Sequence, residues 1–253
     1  MNKSLSFNQL SYTQYKPNST TLWCPSDREI AFNANIEKYP TNKSLLYYLE
    51  NPIEYKFNNY GFRTPDDFNS KDDGNIFLGS SDTIGIGHHL ENTWSFRLNQ
   101  YVGGKFWNLS QGGVGMMTHF RVLLAFHKKL KAKNIFHFLP PEISNRTEAF
   151  ILGKPTDIDE TNYLEYYRDS VIWKCQEDYN LILYSNAIKN LAKEMGANYY
   201  FVYDSAKVNG ESKLEARDLQ HYSIERHDYV LDKFKNLYDT NTFGDTFNVS
   251  NLI

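Results

Sequence analysis

The chain has 253 residues, 41% of them hydrophobic and 16% aromatic, with 27 Lys and Arg against 30 Asp and Glu. That hydrophobic content is enough to bury a sizeable core, most simply one α/β domain with extensions, and it excludes general disorder. The formal net charge of -3 argues against a nucleic-acid or anionic-membrane partner.

Residues 1–69 mix aromatic and polar side chains without sustained periodicity. They are expected to form an N-terminal extension packing on a core domain that spans 70–253. Ser70-Lys71-Asp72-Asp73-Gly74 reads as a turn. Ile76 to Leu78 reads as a buried strand, Trp94 to Val102 as a helix, and Phe106 to Leu109 as a second short strand. Apolar spacing through Met116, Phe120, Leu123 and Leu124 predicts a helix from Met116 to Leu130. The basic run Lys128-Lys129-Leu130-Lys131-Ala132-Lys133 is expected to be a solvated helix end, where cations suit the macrodipole.

Ile135 to Leu139 is the expected third strand, and Gly153 to Thr161 an inserted loop. A long helical region follows, clearest from Asn180 to Met195 with Gly196 as its stop, and Tyr199 to Tyr203 is a fourth strand. Ser223 is placed to cap a last helix running to about Tyr238, with Glu225 and Arg226 in its first turn. Strands alternating with helices predict a mainly parallel sheet covered on both faces.

Cys24 and Cys175 are expected to be free thiols, because two cysteines so far apart say little about pairing. No apolar stretch reaches the length of a membrane span, and the polar start Met1-Asn2-Lys3-Ser4 lacks the apolar core of a signal peptide. A cytoplasmic protein is expected, or a virion-associated one if the chain is phage-encoded. His88 and His89 follow a glycine turn, but no acidic or cysteine partner stands at ligand spacing, so neither a metal nor another cofactor is expected. His119, His127 and His137 lie on apolar segments and read as core or rim histidines.

Two segments carry the chemistry. The apolar run ending at Leu78 stops at Gly79-Ser80-Ser81, where glycine permits a sharp turn and the turn presents two serines. Far downstream, Asp218-Leu219-Gln220-His221 places a carboxylate and an imidazole three residues apart. A serine hydroxyl is a poor nucleophile until an imidazole takes its proton, and a third group must orient that imidazole. Alone, Asp218 and His221 also suit a helix start, where a carboxylate caps and favours the dipole.

In these residues the chain resembles the SGNH hydrolases, or GDSL-type esterases. Gly79-Ser80-Ser81-Asp82 is similar to their Gly-Asp-Ser-x block, with serine in place of its aspartate, and that register makes Ser81 the nucleophile and not Ser80. Asn59-Tyr60-Gly61-Phe62-Arg63 upstream and Glu91-Asn92-Thr93-Trp94 downstream resemble segments that flank this block. Asn108-Leu109-Ser110-Gln111-Gly112-Gly113 resembles the second block, which implies that the Gly113 N–H holds the oxyanion together with the Ser81 N–H. Asp218 to His227 resembles the last block, with Tyr222 in place of a proline, which implies His221 as general base, Asp218 as its orienting partner and His227 as structural.

The third block departs from the pattern. Where the family shows Gly-x-Asn-Asp, the chain reads Leu139-Pro140-Pro141-Glu142, and Pro141 cannot supply the asparagine's donor. Losing one such donor typically costs about 100- to 1,000-fold in rate, roughly 2.7–4 kcal/mol. Asn145 and Arg146 are the nearby candidates to replace it.

The resemblance implies a three-layer α/β/α, flavodoxin-like fold with its site at the C-terminal edge of the strands. It implies a serine hydrolase acting on a small-molecule or carbohydrate ester, for example an acetyl or short acyl group. Two alternatives stand beside it. One is acyl transfer to a sugar hydroxyl, and the other is a non-catalytic binding or structural protein, such as a phage particle component, that keeps the fold.

Overall fold

The first elements are short and lean on one another. In the computed structural model, which describes residues 13, 15–24, 26–69, 71–141, 171–206 and 212–244, strand β1 (Ser19–Thr21) pairs antiparallel with β2 (Tyr55–Phe57). Between them lie helices α1 (Glu29–Lys38) and α2 (Lys43–Glu50). Asn42 caps α2 by accepting from the Leu45 N–H at 3.0 Å, as short polar side chains do for the unpaired donors of a first turn. Phe32, Leu45, Tyr48, Ile53 and Tyr55 are buried together with Ile84 and Ile86 of the core. None of these four elements shows in the sequence periodicity, because each is too brief to display a repeating face and is held by tertiary contact.

The core is a four-stranded parallel sheet of β3 (Asp73–Leu78), β4 (Lys105–Asn108), β5 (Lys131–Leu139) and β6 (Asn198–Tyr203), in the spatial order β4-β3-β5-β6. Helices cover both faces. After β3 come the one-turn helix α3 (Ser81–Ile84) and α4 (Trp94–Val102), and α5 (Met116–Phe126) leads into β5. Helix α6 (Val171–Glu194) precedes β6, and α7 (Ile224–Asp239) follows it. Alternate strand residues point to opposite faces. Ile76, Leu78, Ile135 and Phe201 therefore pack with Val122 and Leu123 of α5 and Ile188 of α6. Phe77, Phe136, Tyr200 and Val202 pack with Leu98 of α4 and Val230 and Phe234 of α7. This is the expected three-layer, flavodoxin-like arrangement.

Register is fixed at two levels of the sheet. Asn75, Asn134 and Asn198 stand side by side, with Asn134 Nδ2 donating to Asn75 Oδ1 at 2.8 Å and Asn198 Nδ2 to Asn134 Oδ1 at 3.2 Å. Two residues further on, Phe136 stacks between Phe77 and Tyr200 at ring separations of 5.3 and 5.1 Å. A one-residue slip would break both rows and turn every side chain to the wrong face.

The basic run corrects one expectation. Helix α5 ends at Phe126, and β5 already begins at Lys131, so the run spans a turn and a strand start instead of a helix end. Lys131 and Lys133 alternate outward around buried Ala132 and reach Asp73 at 2.8 and 3.1 Å. Among the described residues, no helix is long and apolar enough to cross a membrane.

Candidate active site

The order β4-β3-β5 means that the chain leaves β3 to one side and returns on the other. Open parallel sheets bind ligands in the crevice this reversal opens at the C-terminal edge. Gly79-Ser80-Ser81 lies at that edge, directly after β3. A Cβ on Gly79 would stand 1.9 Å from Thr83 Oγ1 and 3.0 Å from the Phe138 carbonyl oxygen, so only glycine lets the turn lie this close to its own helix and to β5. Ser80 is buried, at 1% exposure, whereas Ser81 at the start of α3 is half-buried.

The second segment wraps over the same edge. The Leu109 N–H donates to the Phe77 carbonyl at 2.9 Å, the Gln111 N–H to the Gly79 carbonyl at 3.3 Å, and Asn108 Nδ2 to the Thr83 carbonyl at 3.3 Å. Gly113 follows with φ of 75°. Among the described residues, neither its N–H nor that of Ser81 is taken up by another group.

Asp218 and His221 form a tight pair. His221 Nδ1 donates to Asp218 Oδ2 at 2.5 Å, while Asp218 Oδ1 accepts the N–H groups of Gln220 and His221 at 3.0 and 3.1 Å. These bonds hold Leu219 between them at φ of 56°, a left-handed conformation that bulky residues seldom adopt. The Asp218 side chain is 2% exposed and that of His221 17%, so the carboxylate is enclosed and the ring reaches the surface. Burial alone would raise the Asp218 carboxyl, but the bonds from His221 and the backbone outweigh it and hold the pKa below the usual value. For His221 burial acts downward, and the Asp218 hydrogen bond and charge outweigh it, leaving the imidazole above its usual 6.5. The charge of Asp82, next to Ser81, adds to the same upward pull.

The loop after α3 is pinned to this pair's own segment. The Arg217 N–H donates to the Gly87 carbonyl at 2.9 Å, and a Cβ on Gly87, whose φ is 80°, would lie 2.8 Å from Ala216 Cβ. No hydrogen bond joins Ser81 Oγ to His221, whose Nε2 is unengaged among the described residues. The bond from the Arg217 N–H to the Gly87 carbonyl thus ties the loop after α3, the helix that begins at Ser81, to the segment that carries Asp218 and His221. Pro140 and Pro141 follow directly on β5, and Asn145 and Arg146 lie outside the described residues.

No protein-family model matches the chain, and no curated protein matches it. Several solved structures bear a loose likeness, two of them as follows. TesA is 13% identical over 66% of this chain and 97% of its own, with a TM-score of 0.37. A carbohydrate esterase family 2 enzyme with a carbohydrate-binding domain, from Corynascus thermopiles (Myceliophthora fergusii), is 9% identical over 71% of this chain and 70% of its own, with a TM-score of 0.32. Likenesses this distant assign no role to any residue.

Several buried polar groups lie around these segments. Arg63 donates to the Ile84 carbonyl at 3.1 Å, the Gly85 carbonyl at 2.5 Å and the His88 carbonyl at 2.8 Å, and so gathers the end of α3 and its loop. His88 is buried, accepting from or donating to Tyr48 Oη at 2.9 Å and the Tyr222 carbonyl at 2.6 Å; the carbonyl can only accept, so Nε2 carries the proton and Nδ1 takes the tyrosine's. Burial pushes His88 down to about 4. His119 and His137, read as core or rim residues, are both buried. They bond to each other at 3.0 Å, and His137 bonds to Tyr199 Oη at 2.8 Å. His127 is half-buried near Glu194. Cys24 is a buried free thiol.

Proposed function

We propose that this chain is a serine hydrolase that cleaves carboxylic esters with small acyl groups. The observation that carries the reading is the enclosed Asp218–His221 pair, whose outward Nε2 is unengaged while the loop behind Ser81 is tied to the same segment. Ser81 Oγ attacks the ester carbonyl as His221 Nε2 takes its proton, and Asp218 holds the imidazolium. The Ser81 and Gly113 N–H groups receive the oxyanion. Protonated His221 gives its proton to the departing alcohol, and a water that His221 deprotonates then releases the acid from Ser81. An apo serine and its base often stand too far apart to bond and tighten only around substrate.

The substrate we infer is an acetyl or short acyl group on a carbohydrate. Tyr47, 39% exposed and edge-on to His89 at 6.2 Å, supports this by offering a face on which a sugar ring can stack beside the loop after α3.

Fluorophosphonate labelling and hydrolysis of p-nitrophenyl acetate test the reading together. The parent protein should label and turn over, Ser81→Ala should do neither, and Ser80→Ala should keep a measurable rate. Equal losses in the two serine variants would reject the register. A parent protein that neither labels nor hydrolyses would favour a non-catalytic role. The divergent third block points to a replacement donor, for which Asn145 and Arg146 are proposed. Alanine at whichever of them serves should lower kcat by about 100-fold or more, and unchanged kcat in the double variant would remove both.

A further inference from the structure

Behind the site runs a closed circuit of buried polar groups. Asp27 and Arg217 are 0% and 1% exposed. Arg217 Nε donates to both Asp27 carboxylate oxygens at 3.0 Å, and Nη2 donates to Oδ2 at 2.6 Å and to the Leu22 carbonyl at 2.5 Å. The guanidinium lies 3.9 Å over the Trp23 ring. Tyr55 Oη donates to Asp27 Oδ2 at 2.5 Å and itself accepts the Gly87 N–H at 2.9 Å. The Gly87 carbonyl accepts the Arg217 N–H at 2.9 Å, which closes the ring.

Gly87 is thus held at both of its backbone polar groups, on one side by Tyr55 and on the other by Arg217. It stands six residues after Ser81, and Arg217 directly precedes Asp218. The circuit joins the loop that carries the nucleophile to the loop that carries the base, and it does so through side chains of the N-terminal segment. A buried ion pair is a poor source of stability, since well-packed apolar residues of the same volume often do as well. Its bidentate fork fixes distance and direction. A displacement of about 1 Å between reacting groups can cost on the order of 100-fold in rate.

We propose that Asp27, Tyr55 and Arg217 are positioning residues that set the separation of Ser81 and His221, an inference that rests on the hydrolase reading above. Tyr55 is the decisive member. Removing its hydroxyl frees the Gly87 N–H and one contact of Asp27, while the ring and the ion pair remain.

The test is kcat per active site for p-nitrophenyl acetate, with sites counted by fluorophosphonate titration, in the parent, Tyr55→Phe and Arg217→Lys. Lysine keeps the charge and loses the fork. Far-ultraviolet circular dichroism checks that each variant is folded. Expected is a fall in kcat of about 10- to 100-fold per titrated site in Tyr55→Phe, with KM within about threefold of the parent. Arg217→Lys should behave in the same way. A purely structural role would lower the number of titratable sites and the urea midpoint, and would leave kcat per site unchanged. That result overturns the proposal. Should Arg217→Lys fail to fold, Tyr55→Phe alone decides. A parent protein that does not label at all removes the hydrolase reading and this proposal with it, whereas a labelling parent with unaffected variants removes only the proposal.

Discussion

Lowering the pH from 7 to 5 should weaken this protein partly through one side chain, His88. The ring is fully buried, and burial, only partly opposed by its bond to the Tyr222 carbonyl, depresses its pKa from 6.5 to about 4. The sign follows from linkage. The unfolded chain takes up a proton near 6.5 and the folded one only near 4, so the unfolded state binds more protons between these values and stability falls as pH falls through that window. At pH 5 the unfolded ring is almost wholly protonated and the folded ring about one-tenth so. His88 alone therefore removes about 2 kcal/mol between pH 7 and pH 5. His119, which burial holds near 3, and His137 and His227, which burial also lowers, act in the same direction. His221 acts oppositely, since its raised pKa contributes stability that is complete below 6.5 and lost as pH rises through the folded value. Urea midpoints of the parent and of His88→Gln at pH 7 and pH 5 isolate the term, because the other histidines contribute to both proteins. With a urea slope of about 2 kcal/mol/M, the parent should lose about 1 M more than the variant. Equal losses would refute the argument that His88 is held neutral by its burial.

Two further outcomes follow from the same physics. If His221 is the base, as proposed, it must be unprotonated to act; with its pKa raised, kcat/KM for p-nitrophenyl acetate should fall on the acid side of a midpoint above 6.5, and Asp218→Asn should move that midpoint downward, which a pH profile of each protein checks. Phe136→Ala should destabilise by about 3–5 kcal/mol in urea unfolding, since the ring is fully buried in the stack between Phe77 and Tyr200.

Much of the core was legible because its side chains repeat. The helix from Trp94 to Val102 has those same bounds in the structure, and each of the four predicted core strands is present. The errors fall where a local pattern serves two conformations. Lys128 to Lys133 suits a helix end as well as a strand start, and strand pairing with β3 and the two lysine contacts to Asp73 decide for β5. Around the site, Asp218 and His221 were readable because they are three residues apart in one turn. Asp27 and Arg217, 190 residues apart, were not.

The sequence by itself determined the class of fold and offered the residues of the proposed site, since both rest on short-range features: alternation along strands, spacing along helices, a glycine before a serine, a carboxylate near an imidazole. Tertiary structure decided the surroundings of each. Only the packed chain buries Ser80 and leaves Ser81 half-buried, holds His221 above its usual pKa and His88 below, and fastens Gly87 between Tyr55 and Arg217. Burial and long-range hydrogen bonds act between residues that are distant along the chain, and no local pattern records which of them will be neighbours.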